Sequence, residues 1–191
     1  VTAYAAGVNE GHGHGQFPEK YAKFAYDTRF GFCASRSREV IYQAAPDSML
    51  AFVIDDNVFV RKVSLSHEIR ADRVVSKWSP FPGITVTTTV LPTADGHIRR
   101  HEIESAYPCE AYDCGFAVPN FAPGYVESTA GGAATARNAA VSCTVSGSGE
   151  GTVIKCDPNV SLYSTNVCIP AVRYAIPEGR TVLETEIKAQ A

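Results

Sequence analysis

Two histidines separated by one glycine stand near the start of the sequence, at His12 and His14. Residues at positions i and i+2 of an extended segment point to the same side, so both imidazoles could contact one substrate or one metal ion. No third ligand of the right type follows nearby, and we therefore predict no metal site. His12 and His14 remain candidate catalytic residues, and the alternative is a glycine-rich loop whose histidines are simply solvated.

The segment that follows combines aromatic rings with cations. Tyr21, Lys23 and Tyr26 are of the types that bind an acidic sugar, because aromatic faces stack on the ring and cations bind the carboxylate. The alternative is that these aromatic residues, which alternate along a predicted strand, belong to the core of a sheet. We take these three residues as candidate substrate-binding residues.

A second group of cation-capable side chains lies in the predicted strand 97–105. His97, Arg99 and His101 share one face of this strand, while Arg100 lies on the other. So much charge predicts either an edge strand or the wall of a cleft. Arg99 and His101 are candidate substrate-binding residues if that face is concave, and solvated side chains if it is an outer edge.

Several classes of function lack their sequence signature. The chain has no Gly-x-Ser-x-Gly elbow, phosphate loop, dinucleotide fingerprint or calcium loop, so no cofactor is predicted. The net charge is −3 and the basic residues are scattered, which argues against a nucleic-acid partner. No apolar run approaches the roughly 20 residues that a membrane-spanning helix needs, so we predict a soluble chain without a membrane partner.

β-Branched and aromatic residues recur in short runs broken by Gly, Pro, Asn and Asp, while helical periodicity is nearly absent. Strands are predicted at 21–28, 48–54, 58–66, 84–91, 97–105, 109–119, 137–145, 152–156, 160–169 and 181–189, with a meander over 67–78 and turns at 55–57, 94–96, 147–151 and 177–179. Roughly ten or more strands without helices indicate an all-β fold, either a two-sheet antiparallel sandwich or a large antiparallel barrel.

The 191 residues suit a single domain, residues 1–191. The chain begins with Val1 in apolar sequence, and we expect it to be a piece of a longer polypeptide. Six cysteines are spread widely, with Cys109–Cys114 and Cys143–Cys156 as the nearest pairings in sequence. Disulfides and buried free thiols are both compatible with this spacing, so the sequence does not distinguish a secreted from a cytoplasmic protein.

Several segments carry a family resemblance. The run Glu19-Lys20-Tyr21-Ala22-Lys23-Phe24-Ala25-Tyr26, followed by Phe30-Gly31-Phe32, resembles a lysine–tyrosine–lysine–phenylalanine–tyrosine segment of the family called domain of unknown function 2264. Further similar stretches are Pro46–Leu50, Trp78 with 82–88, Ile98–Ile103 and Asn166–Ile176. Together they cover most of the chain.

The resemblance implies a fold and a partner domain. Members of this family join an N-terminal (α/α) toroid to a C-terminal β-sandwich, as in the heparinase II/III and alginate lyase group. This chain looks like the C-terminal sandwich alone, a large antiparallel supersandwich-like domain whose partner is an upstream helical domain. His12-Gly13-His14 with Phe17 is similar to a His-x-His loop of those lyases, although Gln16 stands near the position of the family's aspartate.

The resemblance also implies an activity on an acidic polysaccharide or oligosaccharide. In a β-elimination, a cation or histidine neutralises the uronate carboxylate, a base removes the α-proton and an acid protonates the leaving oxygen. His12 or His14 would take the neutralising or basic role, and the isolated chain would be inactive. The alternatives are a non-catalytic carbohydrate-binding or structural module packing on the helical domain, and a lid over a glycoside hydrolase.

Overall fold

A computed structural model describes residues 50–54, 57–59, 63–116, 118–155 and 167–190. This part of the chain folds into fourteen β-strands and contains no helix, so it has none that could cross a membrane. The strands are β1 Leu50–Ile54, β2 Asn57–Phe59, β3 Val63–Ile69, β4 Val74–Ser79, β5 Ile84–Pro92, β6 Gly96–Ser105, β7 Cys109–Cys114, β8 Val118–Pro119, β9 Val126–Ala130, β10 Ala133–Arg137, β11 Ser142–Gly147, β12 Glu150–Lys155, β13 Val167–Ile176 and β14 Gly179–Gln190.

The strands form two antiparallel sheets. The first has six described strands in the order β12-β13-β7-β1-β2, with β8 paired to β13. The second has eight described strands in the order β3-β4-β5-β6-β14-β11-β10-β9. Of the two architectures that the sequence allows, the two-sheet sandwich is confirmed.

Alternation of side chains directs one face of each sheet to a common core. In β5, Ile84, Val86, Thr88 and Val90 are buried, whereas Thr85, Thr87 and Thr89 on the other face are only partly so. The rings of Phe52 in β1 and Trp78 in β4 meet edge to face with centroids 6.0 Å apart, so they join the two sheets. The interior is continuous between the sheets and holds many of the large apolar side chains.

Several element boundaries differ from the prediction. The strand predicted at 109–119 is two strands, β7 and β8, and β13 extends beyond the predicted 160–169 to Ile176. The single strand predicted at 58–66 is wrong, because β2 pairs with β1 in the six-stranded sheet while β3 pairs with β4 in the eight-stranded sheet. The strand predicted at 137–145 is also wrong, since β10 ends at Arg137 and β11 begins at Ser142. The small residues Ala130-Gly131-Gly132-Ala133, read in the sequence as a loop, form the turn of a tight hairpin between β9 and β10, in which Ala130 pairs with Ala133.

The charged strand β6 occupies a central position. It pairs with β5 on one side and with β14 on the other, so it is not the edge strand that its charge suggests.

The structure gives the redox state of four of the six cysteines. Cys109, Cys114, Cys143 and Cys168 are free thiols, and the nearest pairing in sequence, Cys109–Cys114, is therefore not formed. The predicted strand 21–28 lies outside the described residues.

Candidate functional site

Three of the cation-capable side chains of β6 point into the core. His97, Arg99 and His101 are 2%, 1% and 0% exposed, because the same alternation that buries Ile103 directs them inward. The carboxylate of Asp113, 0% exposed, faces them from β7 in the other sheet. We call Thr88, Arg99, His101 and Asp113 the buried polar cluster.

A chain of hydrogen bonds runs through this cluster. Trp78 Nε1 donates to Thr88 Oγ1 over 3.0 Å, Thr88 Oγ1 lies 2.9 Å from His101 Nδ1, and His101 Nε2 lies 3.0 Å from Asp113 Oδ2. An indole N–H can only donate, so the Thr88 oxygen accepts from Trp78 and its own hydrogen is available to His101 Nδ1. His101 then carries its proton on Nε2, and this N–H donates to the Asp113 carboxylate.

Arg99 supplies the positive charge beside Asp113. Its Nη2 lies 3.0 Å from Asp113 Oδ1 and donates to the backbone carbonyl of Cys114 over 2.5 Å. Burial by itself would raise the pKa of the Asp113 carboxyl, but the Arg99 guanidinium and the His101 imidazole together hold that pKa below its usual value. Arg99 Nε and Nη1 are buried and have no hydrogen-bond partner among the described residues.

His97 lies two residues before Arg99 on the same inward face of β6, and its environment is different. Its ring meets that of Phe116 edge to face, with centroids 6.1 Å apart. Burial lowers the pKa of His97 to about 3, and the nearby Arg99 charge acts in the same direction, against a smaller opposing effect of Asp113. His97 is therefore neutral in the folded protein near pH 7.

The order Thr88, His101 and Asp113 has the form of a hydroxyl–imidazole–carboxylate relay. All three side chains are fully buried, however, so a polymer substrate cannot reach the Thr88 hydroxyl. What this arrangement can do is join the sheets, because Thr88, Arg99 and His101 belong to the eight-stranded sheet and Asp113 to the six-stranded one. In the part of the chain that the structure describes, no group of three or more His, Cys, Asp or Glu residues could hold a metal ion.

The candidate residues of the sequence thus fall into two groups. Arg99 and His101 are among the predicted substrate-binding residues. The structure brings them together, but in the interior, where both contact the carboxylate of Asp113. The candidate catalytic and sugar-binding residues of the N-terminal segment lie outside the described residues; they are His12, His14, Tyr21, Lys23 and Tyr26.

Sequence reasoning missed Asp113 and Thr88. Asp113 could have been found in the sequence, because it is the one charged residue in the run Ala111–Cys114, whose other polar group is the Tyr112 hydroxyl. Thr88 shares the alternation of Ile84, Val86 and Val90, which places its hydroxyl in the core. A buried hydroxyl and a buried carboxylate both need partners, and the inward face of β6 provides them.

The family model of the DUF2264 C-terminal domain matches residues 14–187. The chain belongs to this family. The resemblance seen in the sequence is thereby confirmed, and the match covers most of the chain. No curated protein matches the sequence of this DUF2264 C-terminal domain.

Solved structures with a similar fold include polysaccharide lyases and other carbohydrate-active enzymes. A heparinase III gene product is 8% identical, with a TM-score of 0.51 over 75% of this chain and 24% of that one. The heparan sulfate lyase HepC from Pedobacter heparinus is 11% identical, with a TM-score of 0.49 over 74% of this chain and 24% of that one. A putative aldose 1-epimerase from Escherichia coli K12 is 11% identical, with a TM-score of 0.45 over 73% of this chain and 78% of that one.

These similarities concern the fold of the DUF2264 domain. The matched part spans about a quarter of the length of each lyase, 24% in both.

Proposed function

We propose that this chain is the β-sandwich module of a longer, polysaccharide lyase-like protein and that it binds uronic-acid-containing glycans or takes part in cleaving them. The observation that carries the proposal is the sandwich fold that the DUF2264 domain shares with a heparinase III, of which it matches 24% of the chain. The matched part is only 24% of that lyase, and in this proposal the rest of the parent protein includes an upstream helical domain. The glycan cleft would then lie between the two domains.

The buried polar cluster bears on how the glycan would be contacted. Arg99 and His101 are engaged with Asp113 inside the core, so they are not free to bind the carboxylate of a uronate. The proposal therefore assigns sugar binding to Tyr21, Lys23 and Tyr26, and carboxylate neutralisation or proton transfer to His12 and His14. An imidazole can perform either task near neutral pH.

A second candidate function is a non-catalytic carbohydrate-binding or structural module. It is favoured by the fact that the relay-like Thr88, His101 and Asp113 are all closed inside the core. In this alternative the surface of the sandwich only docks glycan or the helical domain, and the loop histidines are dispensable for turnover.

The experiment that separates the two candidates uses the full-length protein that contains this chain. Beta-elimination produces an unsaturated uronate, whose absorbance is followed on a polyuronate that the parent protein cleaves. We expect the double variant His12→Ala with His14→Ala to lose this absorbance while its unfolding transition is unchanged. His67→Ala removes an exposed imidazole of β3 and is the matched control.

Parent-like turnover in the double variant would overturn the catalytic proposal. Binding of oligogalacturonate to the 191-residue chain, measured by calorimetry, then tests the second candidate. Absence of turnover and of binding with every acidic glycan tried would overturn both.

A further inference from the structure

A depression of about 470 Å³ opens at one end of the eight-stranded sheet. Residues of four strand ends line it, with Ser79 from β4, Thr85 from β5, Glu104 from β6 and Arg180 from β14. Its volume lies within the range of ligand sites, about 300–1,000 Å³. Glu104 points away from the core, since its neighbours Ile103 and Ser105 are buried, so this depression is separate from the buried polar cluster.

The polar side chains of the depression form one row across three strands. Thr85 is directly opposite Glu104, and Glu104 is directly opposite Arg180. Residues that face each other in this way have Cβ atoms about 4.5–5.5 Å apart. A hydroxyl, a carboxylate and a guanidinium therefore stand side by side on the same surface.

The Glu104 carboxylate is exposed and has no partner among the described residues. Arg180, its cross-strand neighbour, instead pairs with Glu102, with Nη2 2.8 Å from Glu102 Oε2. Glu102 also lies 3.8 Å from the Arg100 guanidinium. The two arginines are thus directed to Glu102, and Glu104 remains available as a hydrogen-bond acceptor.

Two glycines with positive φ line the depression. Gly83 has φ 88° and Gly179 has φ 99°, backbone conformations that residues with a side chain rarely adopt. A Cβ at Gly179 would meet nothing within 4 Å, so the space beside it is free for a ligand. A Cβ at Gly83 would lie 2.9 Å from Tyr107 Cε1, and this ring is held in place by its hydroxyl, which donates to the Pro82 carbonyl over 2.7 Å.

We propose that this depression binds an uncharged sugar unit, with Glu104 accepting from its hydroxyls and with Arg180 and Thr85 completing the hydrogen bonds. The inference rests on the proposed function in that it assumes a carbohydrate module, and it adds a second subsite of different chemistry. Arg100 and Arg180 balance the charges of Glu102 and Glu104, so this surface offers no net positive charge to the carboxylate of a uronate unit. Neighbouring hydroxyls of a neutral sugar match the row of acceptor, donor and hydroxyl.

The test is an NMR titration of the 191-residue chain with maltotriose and cellotriose as uncharged probes and trigalacturonate as the acidic probe. We expect the uncharged trisaccharides to shift the backbone amides of Gly83, Thr85 and Gly179. Glu104→Gln should weaken this binding about tenfold or more, because a hydrogen bond to a charged acceptor is lost. Thr85→Val, which is nearly isosteric, should weaken it to a smaller extent.

The matched control is Glu184→Gln, which removes another exposed carboxylate from the outward face of β14 without touching the depression. Unfolding curves of all variants check that the fold is kept. The inference is overturned if neither uncharged probe shifts the three amides, or if Glu104→Gln binds as tightly as Glu184→Gln. If only trigalacturonate fails to bind, the result counts against the proposed function. The binding of the uncharged probes at the depression would still support this inference.

Discussion

Asp113 is the residue on which the charge balance of the interior depends. Its carboxylate is the only acidic group of the described chain that is fully buried, and it faces both Arg99 and His101. Asp113→Asn keeps the shape but leaves the Arg99 guanidinium uncompensated in the core. We expect the free energy of unfolding to fall by about 3–5 kcal/mol, measured by urea denaturation with the fluorescence of Trp78, the single tryptophan.

The control for this substitution removes the opposite charge as well. Arg99→Met combined with Asp113→Leu replaces the pair by apolar side chains, and it should recover much of the stability lost in Asp113→Asn. A fall of less than about 1 kcal/mol in Asp113→Asn would show that the buried pair does not hold the sheets together.

His97 makes stability depend on pH through a different route. Burial lowers its pKa from 6.5 to about 3, so between these values the unfolded chain binds a proton that the folded chain does not. Stability therefore falls on acidification through this window, with a contribution from His97 of at most about 1.4 kcal/mol per pH unit. His97→Gln should flatten the slope of unfolding free energy against pH between about pH 6 and pH 4, measured by denaturation at each pH.

The substitution Val145→Ala provides the comparison for His97→Gln. It removes buried apolar atoms without removing a titrating group, so it should lower stability by the same amount at every pH and keep the parent slope. Asp113 acts in the same direction as His97 but only at lower pH, because its pKa lies below 3.8 in the folded protein. An unchanged slope in His97→Gln would contradict this account of the buried imidazole.

At the scale of elements, the hairpin of β9 and β10 depends on two consecutive glycines. Gly131 and Gly132 have φ of 52° and 79°, as a two-residue hairpin turn with a matching twist requires. A Cβ at Gly131 meets nothing within 4 Å, whereas one at Gly132 would lie 2.5 Å from the Gly147 carbonyl oxygen. Gly131→Ala should cost about 1–2 kcal/mol from its backbone conformation, and Gly132→Ala distinctly more.

The two alanine variants are each other's control, because both place a side chain at positive φ and only one of them meets the backbone of β11. Urea denaturation gives the two losses of stability. Equal losses would mean that the contact with Gly147 relaxes without cost, and the structural distinction between the two glycines would be wrong.

The alternation of β5 and β6 in the sequence is enough to predict which side chains share a face, and the structure confirms both patterns. The sequence does not show where a strand sits in its sheet. Charge in β6 suggests an edge, yet Asp113 from another sheet neutralises the inward face while Arg180 from β14 pairs with Glu102 on the outward face. Both partners are distant in sequence, so a pattern read within one strand cannot reveal them.

The same limit explains the error at β2 and β3. Residues 58–66 are predicted as one strand because apolar residues recur through this run without a Gly or Pro to interrupt it. In the structure β2 belongs to the six-stranded sheet and β3 to the eight-stranded sheet, as their pairing with β1 and β4 decides. The all-β class follows from composition and local pattern, whereas the assignment of a strand to a sheet follows from contacts across the whole domain.

For the whole molecule, the pairing pattern predicts a gradient of local stability across the eight-stranded sheet. β6 is paired with β5 and β14 along its full length, and the buried polar cluster ties it to the other sheet. β3 pairs only with β4 among the described strands, and its Leu65 and Ile69 are 53% and 67% exposed. Backbone hydrogen bonds with little burial around them open locally, without unfolding of the domain.

Hydrogen exchange followed by NMR should therefore find the amides of β6 protected up to the free energy of global unfolding and those of β3 much less. Asp113→Asn provides a sharper test, since it should accelerate exchange in β6 and β7 together, because these strands carry the two sides of the ion pair. Gly132→Ala should accelerate exchange mainly in β9 and β10, where the turn belongs. Equal protection of β3 and β6, or an Asp113→Asn effect confined to one sheet, would contradict a sandwich whose two layers are joined through β6.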